Sequence, residues 1–173
     1  MSRFETSKNH YNRSRICLLV LLVSLGLSAC GFRLAGTAEL PPQLASIYLV
    51  TSDFSNSQRN LLKRRLNNAG ASLVEQLESQ AVQLNVSLKS IPDRELATGA
   101  RTGTSVKRIS RSLSFNVKAA DGTTLLEPQI LNQQRDASLD DDNLLSSDRE
   151  KETVTRDLEQ ALFDQLIRQL ILI

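Results

Sequence analysis

The chain has 173 residues, which allows one domain and hardly two, and its 40% hydrophobic and 23% charged residues are ordinary values for a globular protein. Aromatic residues make up only 4% and tryptophan is absent, so the core must consist mainly of Leu, Ile and Val. The formal net charge is +2 over the full chain, and the −1 that remains without residues 1–29 excludes a general binder of polyanions.

The first 29 residues predict an export signal that is removed from the mature protein. Arg13 and Arg15 precede a mostly apolar stretch, residues 16–27. As a helix this stretch would rise about 18 Å, which is too short for a hydrocarbon core of roughly 30 Å. The signal carries four of the 21 basic and one of the 19 acidic residues, so residues 30–173 hold 17 basic and 18 acidic residues, a net charge of −1.

The sequence that ends the signal, residues 27–31, resembles the lipobox of bacterial lipoproteins, in which cleavage precedes a lipid-bearing cysteine. Cys17 is removed with the signal, so Cys30 would have no disulfide partner in the mature chain. An incidental thiol after an ordinary signal is the alternative. The resemblance implies a covalent lipid on Cys30 as membrane anchor, and Gly31 in place of an aspartate implies the outer membrane.

The mature chain begins with a predicted tether, residues 30–45, whose two consecutive prolines favour extended backbone. The β-leaning residues 46–50 predict a first strand. A helix follows from a cap at Ser55 or Asn56 to about residue 68, where Gly70 suits its end.

Alternating apolar and polar residues predict three further strands. Residues 81–89 alternate first, residues 92–103 have loop character, and the alternation resumes over residues 107–117. An Asp-Gly turn then predicts a hairpin with a returning strand over residues 123–135. Pro128 interrupts that strand, which indicates an edge position or a bulge.

The last element is a long amphipathic helix, capped by Ser146 or Ser147 and running to about Leu170. The order strand, helix, three strands, helix predicts a single α+β domain over residues 46–173. Its two helices would pack on one face of a roughly four-stranded mixed sheet, as a two-layer sandwich.

The mature chain has no imidazole for acid–base catalysis or metal binding. The one histidine, His10, lies in the signal, and Cys30 is expected to be lipidated. Asp140 and Asp142 could act as an acid and a base, but their polar turn before a helix favours solvated carboxylates. We therefore predict no enzyme, no metal and no cofactor besides the covalent lipid.

One face of the predicted sheet carries small uncharged side chains. It is either a solvated open face, as antiparallel sheets often have, or a surface that fits a polar partner. The residues that we take as candidates for such a contact are Ser110, Ser112, Ser114 and Asn116.

Basic residues cluster between Lys89 and Lys118, and Lys107 and Arg111 share the face of Ile109 and Leu113. Cations beside apolar groups would suit an amphiphilic anion, because the arginine fork binds phosphate in bidentate fashion. The alternative is an ordinary charged strand end. Nucleic acid is not favoured, because few aromatic residues lie between the cations.

The mature chain resembles the LptE family of lipopolysaccharide-assembly lipoproteins. Residues 30–34 (CGFRL), the Leu-Pro that follows at Leu40, residues 165–168 (QLIR) near the end of the last helix and the order of elements carry the resemblance. Members of this family plug the large outer-membrane β-barrel LptD, help it to assemble, and bind lipopolysaccharide. The resemblance therefore implies a lipid-anchored, periplasm-facing protein of the outer membrane.

The family's lipopolysaccharide contact includes an arginine just ahead of a glycine, which Arg101 matches here. The candidates for lipopolysaccharide binding are Arg101, Lys107, Arg108 and Arg111. Some relatives add a lysine at the start of the last helix, where Arg149 and Lys151 lie in this chain. The alternative function is a scaffold lipoprotein of another envelope complex, without a lipid substrate.

Overall fold

The computed structural model describes residues 39–99, 103–140 and 142–173, so Cys30 and Arg101 lie outside the described residues. A short 3-10 helix precedes five strands and two α-helices. In chain order these elements are the 3-10 helix Pro42–Leu44, β1 Ser46–Ser52, α1 Asn56–Asn68, β2 Ser72–Val74, β3 Val82–Gly99, β4 Thr104–Lys118, β5 Thr124–Asp140 and α2 Leu144–Leu170.

The sheet has five strands in the order β2-β1-β3-β4-β5. β1 runs parallel to β2 and β3, and the remaining pairs are antiparallel. Both helices cover one face, so the α+β sandwich is confirmed, with one strand more than expected. The additional strand is β2, which at three residues is too short for its alternation to be recognised in the sequence.

The strands β3 and β5 are longer than the sequence indicates. β3 continues to Gly99 through the segment expected to be a loop, because β4 pairs with it as far as Thr104. The proline in that segment, Pro92, lies at a register shift, where no ladder hydrogen bond needs its missing N–H. Pro128 lies on the edge strand β5. It stands between Leu126 and Gln129, the partners of Val117 and Phe115, where the register between β4 and β5 shifts. Both observations agree with the predicted edge position or bulge.

Helix ends follow local side-chain chemistry. At the start of α1 the Ser55 hydroxyl accepts from the Gln58 N–H, and the Gln58 side chain accepts from the Ser55 N–H. This reciprocal pair satisfies two N–H groups that the helix cannot. Gly70 follows α1 with φ of +92°, a conformation that disfavours other residues. The cap of α2 is Asn143, so this helix begins earlier than the serines predicted.

The sheet divides into two regions with different cover. In the base, residues 46–52, 72–74, 82–87, 114–118 and 124–130, all five strands pair. Beyond the base, β3, β4 and β5 continue alone as a three-stranded extension, residues 88–99, 104–113 and 131–140.

Two hydrophobic clusters lie between the sheet and the helices. The larger one fills the base and the start of the extension, and includes Leu84, Leu62, Leu166 and Phe163, all 0% exposed. The ring of Phe163 stacks on that of Phe54 with centroids 5.8 Å apart. The smaller cluster lies under the N-terminal half of α2 in the extension and consists of Ile109, Ala137, Leu139, Val154 and Leu158.

The end of the segment predicted as a tether belongs to the base. Leu44 is 1% exposed and lies in the larger cluster. The Leu40 N–H donates to the Ala69 carbonyl at the end of α1, at 2.8 Å. The chain therefore enters the domain beside the C-terminal end of α1.

Candidate functional site

The sheet face that the helices leave open is lined by small polar side chains. Ser110, Ser112, Ser114 and Asn116 alternate along β4 with residues that the helices bury, and each is partly exposed. β3 adds Asn85 and Ser87 opposite Asn116 and Ser114, and Gln83 donates to Asn85 at 2.7 Å. The four candidates for a partner contact thus form one row, as the alternation predicts.

Arg108 lies on the same open face, in the extension. Its Nε and Nη2 donate to the two carboxylate oxygens of Asp136 on β5 at 2.7 and 3.0 Å. These hydrogen bonds from Arg108 lower the pKa of Asp136, and the same contact raises the pKa of Arg108. The fork of Arg108 is therefore already occupied by a carboxylate.

Lys107 and Arg111 lie on the other face, toward α2, together with Ile109 and Leu113. Arg111 donates to the Ser110 carbonyl at 2.8 Å and to the Thr155 hydroxyl of α2 at 3.1 Å. Arg111 therefore links β4 to α2. The structure does not bring the described cationic candidates together, because successive β4 residues point to opposite faces.

Lys107 lines a cleft of about 360 Å³ between the start of α2 and the extension. Lys151 lines the same cleft and forms an ion pair with Asp93. The carboxylates that line it are Asp93, Glu95, Asp140 and Asp148. Because these outnumber the two ammonium groups, the cleft favours cations over anions.

Arg149, the other basic residue at the start of the last helix, faces a separate surface hollow beside Leu145 and Glu150. Arg101 lies outside the described residues, but the glycine after its neighbour is described. Gly103 has φ of +60°, and a Cβ there would collide with the Asp142 carboxylate. The Arg-x-Gly sequence that matches the family thus carries a glycine that this turn requires.

Several charged neighbours of the candidates cannot be found by reading β4 alone. Asp136 is brought to Arg108 by the pairing of β5, and Arg94 lies directly opposite Arg108 on β3. Residues in such positions point to the same face. The register of the β3–β4 hairpin could have predicted that Arg94 faces Arg108. The shift between Ile91 and Arg94 moves that register by one residue, so counting along the sequence misplaces the pair.

Glu159 is the one carboxylate that the described residues bury, at 8% exposure, where α1 meets α2. It accepts from the Gln58 amide at 2.7 Å. Burial raises its pKa, while the Gln58 hydrogen bond and the charges of Arg111 and Arg156 oppose that shift. The sequence gives no signal for this, because Glu159 lies in an ordinary helical pattern.

The described residues contain no group of three or more Asp, Glu, His or Cys side chains arranged for a metal ion. Among the helices of that part of the chain, none combines the length and the hydrophobicity needed to cross a membrane. What the described part offers is an open polar sheet face with cations at its far end.

Comparison with known proteins agrees with this architecture. The family model described as "LptE: Lipopolysaccharide-assembly" matches residues 44–170, which span the 3-10 helix, the sheet and both helices. The chain belongs to the LptE family. A relative from Photorhabdus laumondii, "LPS-assembly lipoprotein LptE", is 31% identical over 170 residues, covering 92% of this chain and 87% of that protein.

Solved structures share the LptE-family fold. A lipoprotein B of Nitrosomonas europaea matches with a TM-score of 0.64 and 19% identity, over 81% of this chain and 90% of that one. The rare lipoprotein B of Shewanella oneidensis gives 0.61 and 15%, over 72% and 92%. A minor lipoprotein of Acinetobacter baumannii gives 0.59 and 18%, over 74% and 91%. At these identities the likeness establishes the fold alone.

Proposed function

We propose that this LptE-family protein is a lipid-anchored subunit of the lipopolysaccharide export machinery at the outer membrane. The observation that carries the proposal is the family match, which spans residues 44–170, together with 31% identity to an LPS-assembly lipoprotein. In this proposal the lipid on Cys30 holds the domain at the membrane on its periplasmic side. The protein performs no catalysis and takes part in assembly and binding.

The partner of the open sheet face is an LptD-like β-barrel, whose lumen the domain plugs. A barrel interior is polar, and a smooth face of hydroxyl and amide groups can approach it closely without burying a charge. Ser110, Ser112, Ser114 and Asn116 supply that face. The support is chemical complementarity, since the hydroxyl and amide groups can exchange water for donors and acceptors on the barrel wall.

Lipopolysaccharide binding is the second part of the proposal, with Arg101, Lys107, Arg108 and Arg111 as candidate contacts. Lipopolysaccharide combines phosphates with acyl chains, and a guanidinium fork is suited to phosphate. The pairing of Arg108 with Asp136 and the carboxylates around Lys107 reduce the free positive charge of these candidates. The alternative function is a scaffold lipoprotein of another envelope complex, without a lipid substrate.

A pull-down of the tagged, lipidated protein from outer membranes in mild detergent tests the barrel partner. We expect a large β-barrel in about equal amount. A photo-reactive amino acid at Ser112 should crosslink to that barrel, whereas one at Asn60, on the exposed side of α1, should not. Recovery of the protein without a barrel would contradict the plug.

Lipopolysaccharide that copurifies distinguishes export from scaffolding. We expect Arg101→Ala to lower the amount of bound lipopolysaccharide, and Lys63→Ala on α1 to leave it unchanged. If the barrel is recovered but no lipopolysaccharide accompanies the wild-type protein, the scaffold function is favoured.

A further inference from the structure

Two arginines face each other across the extension on the open face of the sheet. Arg94 on β3 and Arg108 on β4 are direct partners in the antiparallel register, so their Cα atoms lie about 5 Å apart. Like charges in directly opposite positions destabilise a sheet. A compensating anion would relieve this repulsion.

Only one of the two arginines has such an anion within the described residues. Arg108 is bound by Asp136 on its β5 side, with both carboxylate oxygens accepting. Arg94 is exposed, and the described part of the chain provides no ion pair for it. The row Arg94–Arg108–Asp136 therefore carries a net charge of +1, with its positive end on β3.

The neighbouring side chains indicate the kind of anion that fits. Ile91, which is 39% exposed, lies on the same face one pair nearer the base, opposite Ser110. Lys89 lies on the same face, two pairs nearer the base and opposite Ser112. An apolar side chain between cations suits an amphiphile whose charged group is compact and strongly anionic.

We infer that Arg94 and Arg108 form a clamp for a phosphate group of a glycolipid. A phosphate monoester carries about 1.5 to 2 negative charges near neutral pH and three acceptor oxygens, so it can accept from both guanidinium groups at once. The net charge of +1 attracts any anion, and the three acceptor oxygens of a phosphate let it bind both guanidinium groups, whereas a carboxylate has only two oxygens. The clamp rests on the lipopolysaccharide binding proposed above and identifies Arg94 as a contact that the candidate set does not include.

Asp136 has a defined part in this clamp. It holds the Arg108 fork in place on the open face but competes with the phosphate for its donors. Removing the Asp136 charge should therefore strengthen phosphate binding, whereas removing the Arg94 charge should weaken it. If the Arg108–Asp136 ion pair were only structural, the two substitutions would not change phosphate affinity in opposite directions.

The test measures binding of bisphosphorylated and fully dephosphorylated lipid A to the full-length lipidated protein in detergent. We expect Arg94→Gln to weaken binding of the bisphosphorylated form about tenfold and to leave the dephosphorylated form unchanged. Asp136→Asn should tighten binding of the bisphosphorylated form. The matched control is Lys118→Gln, which removes a cation from the other end of β4 on the same face and should change neither.

Equal effects of Arg94→Gln and Lys118→Gln would overturn the clamp, since they would indicate unspecific attraction. Unchanged binding in Arg94→Gln would overturn it while leaving the proposed lipopolysaccharide binding intact. Loss of the barrel in the Arg94→Gln pull-down, with lipid A binding unchanged, would assign Arg94 to the barrel and also overturn the phosphate clamp.

A second measurement tests the clamp when the wild-type protein binds no lipid A at all, an outcome that would contradict the proposed binding. In that case inorganic phosphate is titrated while the side-chain N–H resonances of Arg94 and Arg108 are followed by NMR. Joint saturable shifts, absent in Arg94→Gln, support the clamp on its own. Absence of shifts overturns it.

Discussion

The base and the extension of the sheet are built from the same three long strands but differ in what they bury and expose. In the base, five strands and both helices enclose the larger hydrophobic cluster, and the side chains at its centre have no exposed surface. In the extension, a cluster of five residues joins β4 and β5 to the N-terminal half of α2. Its other face bears Arg94, Arg108 and their neighbours.

This difference separates stability from recognition along the length of the strands. Stabilisation is roughly proportional to the apolar area removed from water, so the base supplies most of the stability of the domain. The extension has fewer buried groups, and polar contacts also join its strands to α2. Examples are the Arg135–Asp157 ion pair at 2.8 Å and the Arg111–Thr155 hydrogen bond at 3.1 Å. Such contacts at a surface contribute little to stability, and they leave the extension able to adjust to a partner.

The largest effect is expected in the base. Leu166→Ala removes a side chain with 0% exposure from the larger cluster and should lower the free energy of unfolding by about 3–5 kcal/mol. Chemical denaturation measures the loss. Leu172→Ala, at a residue with 79% exposure, is the matched control and should change little. A loss below about 1 kcal/mol for Leu166→Ala would contradict the role given to the base.

A smaller and more local effect is expected in the extension. Leu158→Ala removes a buried leucine from the five-residue cluster and should cost about 2–3 kcal/mol. Hydrogen exchange should show faster exchange in the first half of α2 and in the outer part of β4, with β1 still protected. Equal loss of protection in β1 would mean that the base and the extension unfold as one unit.

Removing the N-terminal cap of α1 should destabilise the base only modestly. Ser55→Ala removes the acceptor of the Gln58 N–H and one half of the capping box, and should lower the free energy of unfolding by about 1 kcal/mol. Ser55→Thr keeps a hydroxyl and should retain most of that stability. Thermal unfolding of the two variants side by side measures the difference, and equal losses would show that the hydroxyl is not responsible.

Glu159 lies at the boundary of the base and the extension. It should make the free energy of unfolding depend on pH rather than change it greatly at one pH. Burial raises its pKa in the folded state above the ordinary value of 4.5, so folding favours the protonated carboxyl. The stability that this contributes is fully present below pH 4.5 and is lost as the pH rises through the folded pKa. The free energy of unfolding should therefore fall over that window in the wild-type protein.

Glu159→Gln should flatten that part of the pH profile and be the more stable protein at neutral pH. Glu150→Gln is the matched control on the same helix, because the Glu150 side chain is exposed and should leave the profile unchanged. Parallel profiles for the wild-type protein and Glu159→Gln would show that this carboxyl does not couple to folding.

The sequence predicts those features of the fold that are local. The alternation over residues 107–117, the Ser55 cap and the Pro128 irregularity are each encoded within a few residues, and each is confirmed. The strand β2 and the outer half of β3 exist because of pairing with distant residues. Neither the three residues of β2 nor the segment around Pro92 carries enough periodicity to indicate a strand.

The candidate site follows the same division. The row Ser110 to Asn116 is a matter of alternation within one strand, so the sequence places it correctly. The electrostatic state of the cations depends on Asp136 and Asp93, which approach Arg108 and Lys151 only through tertiary structure. Charge clusters along a sequence therefore overstate the free positive charge that the folded surface presents.

The entry of the chain into the base has a mechanical consequence. A pull on the segment ahead of Glu39 acts first on the hydrogen bond from the Leu40 N–H to the Ala69 carbonyl, and next on Leu44 in the larger cluster. The load thus passes into the part of the domain with the deepest packing. Arg94 and Arg108 lie at the opposite end of the sheet, far from this point of entry.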